Sequence, residues 1–435
     1  MDTITHGIVG VLAGKAFFAG DDVPAAGGSV AVSDPIARAG IAACMIGAIF
    51  PDIDVFAGPI AGNPLAIVES HRNVSHSLVL LPVWAGLLAG LTVLVLRWLG
   101  WKSRSLAKLA GIYAIGLASH VFLDVITNFG TMVWSPLRYS RVTWDWVYIV
   151  DLTLTGLALF PQLIAWCFRD PRKFKPRAIA IWAVVSLAAL GANALAASVG
   201  TPFPLWVAAA VSVSAAGFVF LPAFGGTGFA WRRANWCRVG FALACIYVGL
   251  AAAAHHAALA YAKKFASEQN LRVDTENASD AIAALPIPPG ATHWAAVVST
   301  PEGVWRRTFH VPGGQAEGTE FFSNAHDPHV QEARQLRDVQ VYLWFARFPV
   351  WNVYYRGGET IAEVSDVRFF RVNQHAETEP ADPPAEQSSQ SSNHPADSRE
   401  DSFLKRRRGS NGFAYDVIFD AQGHIVSSRF RKETR

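Results

Sequence analysis

Charge is scarce in this chain. Of its 435 residues only 16% are Asp, Glu, Lys or Arg, while 51% are hydrophobic; an ordinary soluble protein carries about 25% charged residues. That shortage excludes a chain solvated by water alone. The net charge is only +3, too weak a field to recruit nucleic acid. Cysteine is also sparse: Cys44, Cys167, Cys237 and Cys245 all lie in apolar sequence without metal-type pairing. They read as small core residues, not as a disulfide framework. Residues 1–6 lack basic side chains and include Asp2, so a cleaved signal peptide is not expected and insertion falls to the spans themselves.

What the sequence has instead is long hydrophobic runs. A membrane span needs about 20 mostly apolar residues, and stretches 78–96, 107–126, 148–168, 178–199, 204–224 and 239–260 meet that length. Two shorter runs precede them, 4–19 and 36–50, each either a short span or a helix lying partly in the interface. The expected fold is therefore an α-helical polytopic membrane bundle of about six to eight helices. Three regions follow: a metal-site membrane domain (1–168), additional transmembrane helices (169–262), and a soluble C-terminal domain (263–435).

Basic residues matter by position. Arg97, Lys102, Arg104 and Lys108 fill one loop, Arg169, Arg172, Lys173, Lys175 and Arg177 the next on that side, and Arg232, Arg233 and Arg238 the third. Such loops face the cytoplasm. The opposite connections, 127–147 and 200–203, carry only Arg138 and Arg141, which puts the start of the first long span and the C-terminal region outside.

Beyond Ala260 the character changes. Residues 263–280 have a polar, helical pattern, and 285–370 mix β-branched and aromatic residues with turn signals such as Pro288, Pro289 and Gly290. Runs 339–342 and 364–372 read as strands, and 413–420 with 425–430 as a hairpin. Stretch 374–411 is rich in Ser, Pro, Glu, Gln and Asp and is expected to be disordered. Its basic run 405–408 is either a solvated charge cluster or a contact for anionic headgroups.

The chemistry concentrates between His6 and Asp151. In order come His6; Asp52 and Asp54 of Pro51-Asp-Ile-Asp; His71 and His76 of His-Arg-Asn-Val-Ser-His-Ser; and His120 and Asp124 of Ser-His-Val-Phe-Leu-Asp. Ionisable groups in apolar sequence are costly and persist because a partner, an ion or a wet cavity holds them. His120 and Asp124, four residues apart on a helix, share one face. If 4–19 and 36–50 form a hairpin, all these segments reach the same membrane face. Any one histidine could be a hydrogen-bonded core residue, and Pro-Asp a helix cap, but the set together points to metal. Imidazole with carboxylate suits zinc, manganese or iron better than calcium or magnesium. One or two divalent ions are expected, the second case with an Asp bridging them.

These motifs, with the Asp-Val-Ile-Thr-Asn-Phe-Gly that continues from His120 and the Asp-Trp-Val-Tyr-Ile-Val-Asp ending at Asp151, resemble the YdjM-type family of inner-membrane, metal-dependent hydrolases over about the first 150 residues. A more distant likeness, a helical His-x-x-x-Asp after an earlier Asp and His, is to the zinc-dependent phospholipase C and single-strand nuclease group. The resemblance implies an inner-membrane hydrolase using metal-activated water, and the basic loops put its site on the extracytoplasmic face. A site at the bilayer surface suits an amphiphilic or lipid substrate, a phosphodiester among the options. Arg72 either stabilises developing negative charge or pairs with Asp52 or Asp54. Thr127 and Asn128 position water or close a helix end. Asp145 and Asp151 either support a ligating His or serve as caps. Two rival classes remain open: a metal or proton transporter, and a non-catalytic scaffold whose β-domain binds a partner.

Overall fold

A computed structural model describes residues 1–18, 35–56, 60, 62, 65–101, 105–198, 204–273, 281–288, 292–311, 318–369 and 413–431. Eight long helices come first: α1 (Thr3–Ala13, continued by the π-turn Gly14–Phe18), α2 (Pro35–Ile49), α3 (Leu81–Trp98), α4 (Leu106–Val125), α5 (Leu152–Cys167), α6 (Phe174–Ser198), α7 (Leu205–Phe224) and α8 (Arg233–Glu268). Among the described residues, six segments are long and apolar enough to cross a membrane: Arg38–Phe56, Leu81–Trp98, Leu106–Val125, Pro171–Ala194, Leu205–Phe224 and Arg233–Glu268.

Two expectations about spans are corrected. The run read as short, 36–50, gains a 3-10 segment, Phe50–Phe56, and becomes long enough to span; the run read as long, 148–168, yields only the shorter helix Leu152–Cys167. Its start is fixed by Asp151, whose carboxylate caps the helix by accepting from Leu154 N at 2.9 Å, so the residues before it stay outside the helix. Helix α8 has 36 residues, roughly 54 Å at 1.5 Å per residue, far beyond a hydrocarbon core of about 30 Å. The surplus carries it into the C-terminal domain.

Helices α2 and α4 approach closely because glycines face each other. A Cβ at Gly47 would lie 2.8 Å from the Tyr113 carbonyl oxygen, and one at Gly116 would collide with the Cys44 carbonyl oxygen. Small residues at such crossings let membrane helices approach closely where lipid gives no hydrophobic drive. Around them pack Ala43, Cys44, Leu109, Ile112, Tyr113 and Leu117.

The C-terminal domain holds two antiparallel four-stranded sheets in simple sequential order. The first is β1 (Ile282–Pro286), β2 (His293–Thr300), β3 (Gly303–His310) and β4 (Gly318–Phe322); the second is β5 (Pro349–Arg356), β6 (Glu359–Asp366), β7 (Ala414–Phe419) and β8 (Ile425–Arg431). Strand β2 is apolar on both faces for a reason: Trp294, Ala296 and Val298 pack on Ala258, Ala262 and Phe265 of α8, while Ala295 and Val297 meet Phe348 and Val350 of the second sheet. Helices α9 (Pro328–Ala333) and α10 (Arg337–Phe345) lie between the sheets in sequence.

The hairpin expected at 413–430 is present as β7 and β8, but residues 339–342 are helical, not a strand. Val339, Tyr342 and Phe345 recur every third residue and all are buried, a helical face that the local Val-Gln-Val-Tyr alternation disguises. The strand expected over 364–372 ends at Asp366 and passes into the 3-10 turn Val367–Phe369. The polar helix expected over 263–280 stops at Glu268. The disordered stretch expected at 374–411, with its basic run 405–408, lies outside the described residues.

Candidate metal centre

The site is assembled at one end of the bundle. Helix α1 begins there, α2 and its 3-10 extension end there, α4 returns there, and the segment 65–80 lies across them. Each delivers its polar side chains by local necessity. The 3-10 turn Phe50–Phe56 places Asp52 inward, 8% exposed, while Ile53 is 57% exposed. Thr3 donates to Asp52 Oδ2 at 2.5 Å, which ties the start of α1 to that turn.

Four donor atoms converge. Among the described residues, Asp52, His76, His120 and Asp124 form one buried group with metal-ligand spacing. His120 Nε2 lies 3.0 Å from His76 Nε2 and 3.4 Å from both Asp52 Oδ1 and Asp124 Oδ2. His76 Nε2 lies 3.2 Å from Asp124 Oδ2 and 3.6 Å from Asp52 Oδ1. The tautomer of His120 follows from its other nitrogen: Nδ1 is 2.7 Å from the Ala48 carbonyl, which can only accept. In the neutral ring Nε2 then turns a lone pair toward the cluster. Asp124 Oδ2 is buried, with only the His76 and His120 rings beside it. A sealed set of imidazole lone pairs and carboxylate oxygens fits a divalent cation and is costly without one.

The second group is Asp54, His71 and His76, again with metal-ligand spacing but nearer the surface. His71 Nδ1 is 2.7 Å from Asp54 Oδ1, and His76 Nδ1 is 3.2 Å from Asp54 Oδ2. The two carboxylates of Pro-Asp-Ile-Asp therefore do not converge on one point but serve different groups. The residue common to both groups is His76, where the sequence suggested an Asp. Burial disfavours a charged His76 ring, yet the carboxylates of Asp124, Asp52 and Asp54 outweigh it and raise its pKa to about 10. For His71 burial prevails over Asp54, and its pKa is lowered.

His6 belongs to neither group. Its ring stacks on His120 with centroids 3.7 Å apart, and Nε2 sits 3.2 Å from Asp124 Oδ1. The same oxygen receives Arg72 Nη2 at 2.9 Å and the Met1 amino group. Arg72 thus pairs with Asp124 and not with the side chains of Asp52 or Asp54, as its alternative role had it. Its backbone is left-handed, φ 63°, a conformation uncommon for a side-chain-bearing residue. The Arg72 N–H donates to Asp54 Oδ2 at 3.0 Å, and Nη1 donates to Thr127 Oγ1 at 3.2 Å. Thr127 donates in turn to the Asp124 carbonyl at 2.8 Å, closing the end of α4.

Asp145 lies elsewhere. It does not support a ligating histidine but accepts from Arg347 of the C-terminal domain at 2.6 Å. Asp151 keeps its capping role and accepts from the Tyr247 hydroxyl at 2.6 Å.

Sequence reasoning missed the residues that hold the ligand loops from outside. Arg141 donates to the carbonyls of Val68, His71 and Gly130 at 2.6, 3.2 and 3.0 Å, and its guanidinium lies over the rings of Phe129, Trp344 and Phe345. Buried Arg368 donates to the Asn128 carbonyl at 2.9 Å while paired with Asp366 at 2.8 Å. Leu65, Val68 and Phe129 share one core with Val339, Tyr342 and Phe345 of α10. The C-terminal domain sits directly on the loops that carry His71 and His76. No local motif announces this; the only signal is arginine placed among aromatics.

Residues 1–199 match the family model described as YdjM inner membrane protein. The YdjM match covers α1 to α6 and every residue of the two ligand groups, in agreement with the resemblance carried by the motifs. That description is of a membrane protein, and four of the six membrane-competent helices lie within the matched residues. The C-terminal domain lies beyond the YdjM match. Searches of the curated proteins and of the solved structures found no match to the chain.

Proposed function

We propose that this is a membrane-bound, metal-dependent hydrolase acting on an amphiphilic substrate, with a phosphodiester or phospholipid as the leading class. The observation that carries the reading is the convergence of the Asp52, His76, His120 and Asp124 donor atoms beside a buried arginine. Divalent metal held by this His/Asp centre and the adjoining Asp54, His71 and His76 group, zinc or manganese by donor chemistry, would supply Lewis acidity and lower the pKa of a bound water from 15.7 toward about 7. The chain's own residues do the rest. Ala48 fixes the His120 tautomer, Asp54 orients His71 and His76, and Arg72 keeps a positive charge beside Asp124, where anionic charge building on a substrate would be stabilised.

Apolar surface at this end supports the substrate class. Ile53, Val55 and Phe56 on the 3-10 turn, Val74 beside His76, and Trp134 and Leu137 on the neighbouring turn are all exposed large hydrophobics. A polar site ringed in this way suits a molecule with a charged head and an apolar tail. The basic loops at the far ends of the helices favour an extracytoplasmic site. The ligands also cluster at helix ends, whereas a transport relay is expected near the bilayer midplane.

Elemental analysis of detergent-purified protein beside His120→Ala, followed by a screen of phosphodiester, phosphomonoester and ester substrates, tests the reading. Bound zinc or manganese in the wild type, a lower metal content in the variant and metal-dependent turnover of one substrate class are expected. A metal-loaded protein that transports the ion in liposomes and hydrolyses nothing would overturn it.

A further inference from the structure

His76 presents its two ring nitrogens to different partners. Nε2 faces Asp52, His120 and Asp124 at 3.0–3.6 Å, and Nδ1 faces Asp54 Oδ2 at 3.2 Å, with His71 beyond it on Asp54 Oδ1. Asp54 Oδ2 does not depend on His76 for its hydrogen bonds, because Ser75 Oγ donates to it at 2.7 Å and Arg72 N at 3.0 Å. The two groups also differ in access: His76, His120 and Asp124 are 0% exposed, whereas His71 and Asp54 are 13% and 12% exposed.

We infer that the centre holds two divalent cations joined through the His76 ring. The inner ion is bound by Asp52, His76 Nε2, His120 Nε2 and Asp124; the outer by Asp54, His71 and His76 Nδ1. Binding the outer ion breaks the remaining N–H bond of the neutral ring, forms an N–metal bond and releases that proton to solvent. The inner ion then meets two carboxylates, one of them also paired with Arg72, and the outer ion meets Asp54 and the imidazolate.

Four protein ligands in a sealed pocket make a closed, structural site, and three ligands at the surface leave a position open. Each ion lies about 2.0–2.1 Å beyond its own nitrogen, on opposite edges of one ring. They are thus farther apart than the roughly 3.5–4 Å that lets paired metals share one attacking oxygen. Substrate accordingly meets the outer ion, and the inner ion holds α2, α4 and the 65–80 segment together. This rests on the cluster being a metal centre, not on the hydrolysis itself.

Full-length protein in detergent, stripped by chelator and reloaded with Cu²⁺, provides the test through copper per chain and low-temperature EPR spin counting. Two coppers per chain with a spin count well below two are expected, because imidazolate couples the pair. His71→Ala and Asp54→Asn should each fall from two coppers to one, now with a full spin; the retained inner ion shows that the variant is folded. A single copper in the wild type would mean that Asp54 only steadies His76, and would overturn the inference. Two coppers with two full spins would rule out the bridge, and two coppers retained in His71→Ala would rule out the outer ligand set. A protein that binds no copper removes the metal centre altogether, and this inference with it. A coupled two-copper protein whose metal-loaded form hydrolyses nothing would sustain this inference while defeating the proposed activity.

Discussion

Helices α4 and α6 are built from nearly the same material and do different things. The spans Leu106–Val125 and Pro171–Ala194 are about equally apolar, yet 44% of the residues in the most apolar stretch of the first are buried and only 11% in that of the second. In α4 the side chains that matter are Gly116, which admits α2, and His120 and Asp124, which receive the site. In α6 the polar contacts tie it to its neighbours, Ser186 Oγ to Ser212 Oγ at 2.7 Å, Trp182 Nε1 to the Ser212 carbonyl at 3.2 Å and Arg177 Nη1 to the Trp166 carbonyl of α5 at 3.0 Å. That hairpin meets the remaining bundle chiefly through Cys167, Phe168, Ala178, Ile181 and Val219. Hydrophobicity earns a helix its place in the bilayer; close backbone approach and buried polar atoms decide whether it builds a site.

Substitutions in the two helices sharpen this contrast. Asp124→Ala should have the largest effect, since it removes a ligand and strands buried Arg72, and breaking such a pair costs about 3–5 kcal/mol. The inner ion should be lost and the thermal midpoint should drop further than in His120→Ala; equal midpoints would show that Arg72 finds another anion. Gly116→Leu comes next: the collision with α2 should separate the helices, break the bond from His120 to Ala48 and lower metal content by the inner ion, as elemental analysis would reveal. A smaller loss is expected from Arg347→Ala, about 1.5–3 kcal/mol for a charged hydrogen bond, seen as faster proteolysis between the membrane bundle and the C-terminal domain.

Acidity sharpens the contrast from the side of the site. The His76 pKa, raised to about 10 in the ion-free protein, means that near neutral pH a metal must displace a proton. Affinity should therefore rise with pH up to that value, with at least one proton released per chain in calorimetry across buffers of different ionisation enthalpy. An affinity flat between pH 6 and pH 9 would be the contrary result. Gly191→Leu in α6 should do least: a Cβ there meets nothing within 4 Å, and such surface changes stay within about 0.5 kcal/mol. If it lowered metal content as Gly116→Leu does, the distinction between the two helices would fail.

Much of this was legible before any coordinates. Costly residues in apolar sequence named the ligand segments, and the number of runs between them brought those segments to one membrane face. How the ligands divide was not legible, because the split between Asp52 and Asp54 depends on a 3-10 turn that spacing alone does not specify. Residues 339–342 misled for a related reason: in so short a run the strand and helix periods are both satisfied, and only the burial of Val339, Tyr342 and Phe345 separates them. Arg347 and Arg368 were invisible as contributors because their partners, Asp145 and the Asn128 carbonyl, lie some 200 residues away in sequence. Gly47 and Gly116 carry no chemical signature at all; their importance is the space they leave.

The bond between His120 and Ala48 gives the centre an unusual kind of durability. The acceptor is a main-chain oxygen in the last turn of α2, where carbonyls run out of partners within their own helix. Whatever side chain occupies position 48, that oxygen stays, so the proton on the imidazole is assigned by the path of the chain. The orientation of the ring is thus set by the spacing of the two helices and asks for no second polar side chain.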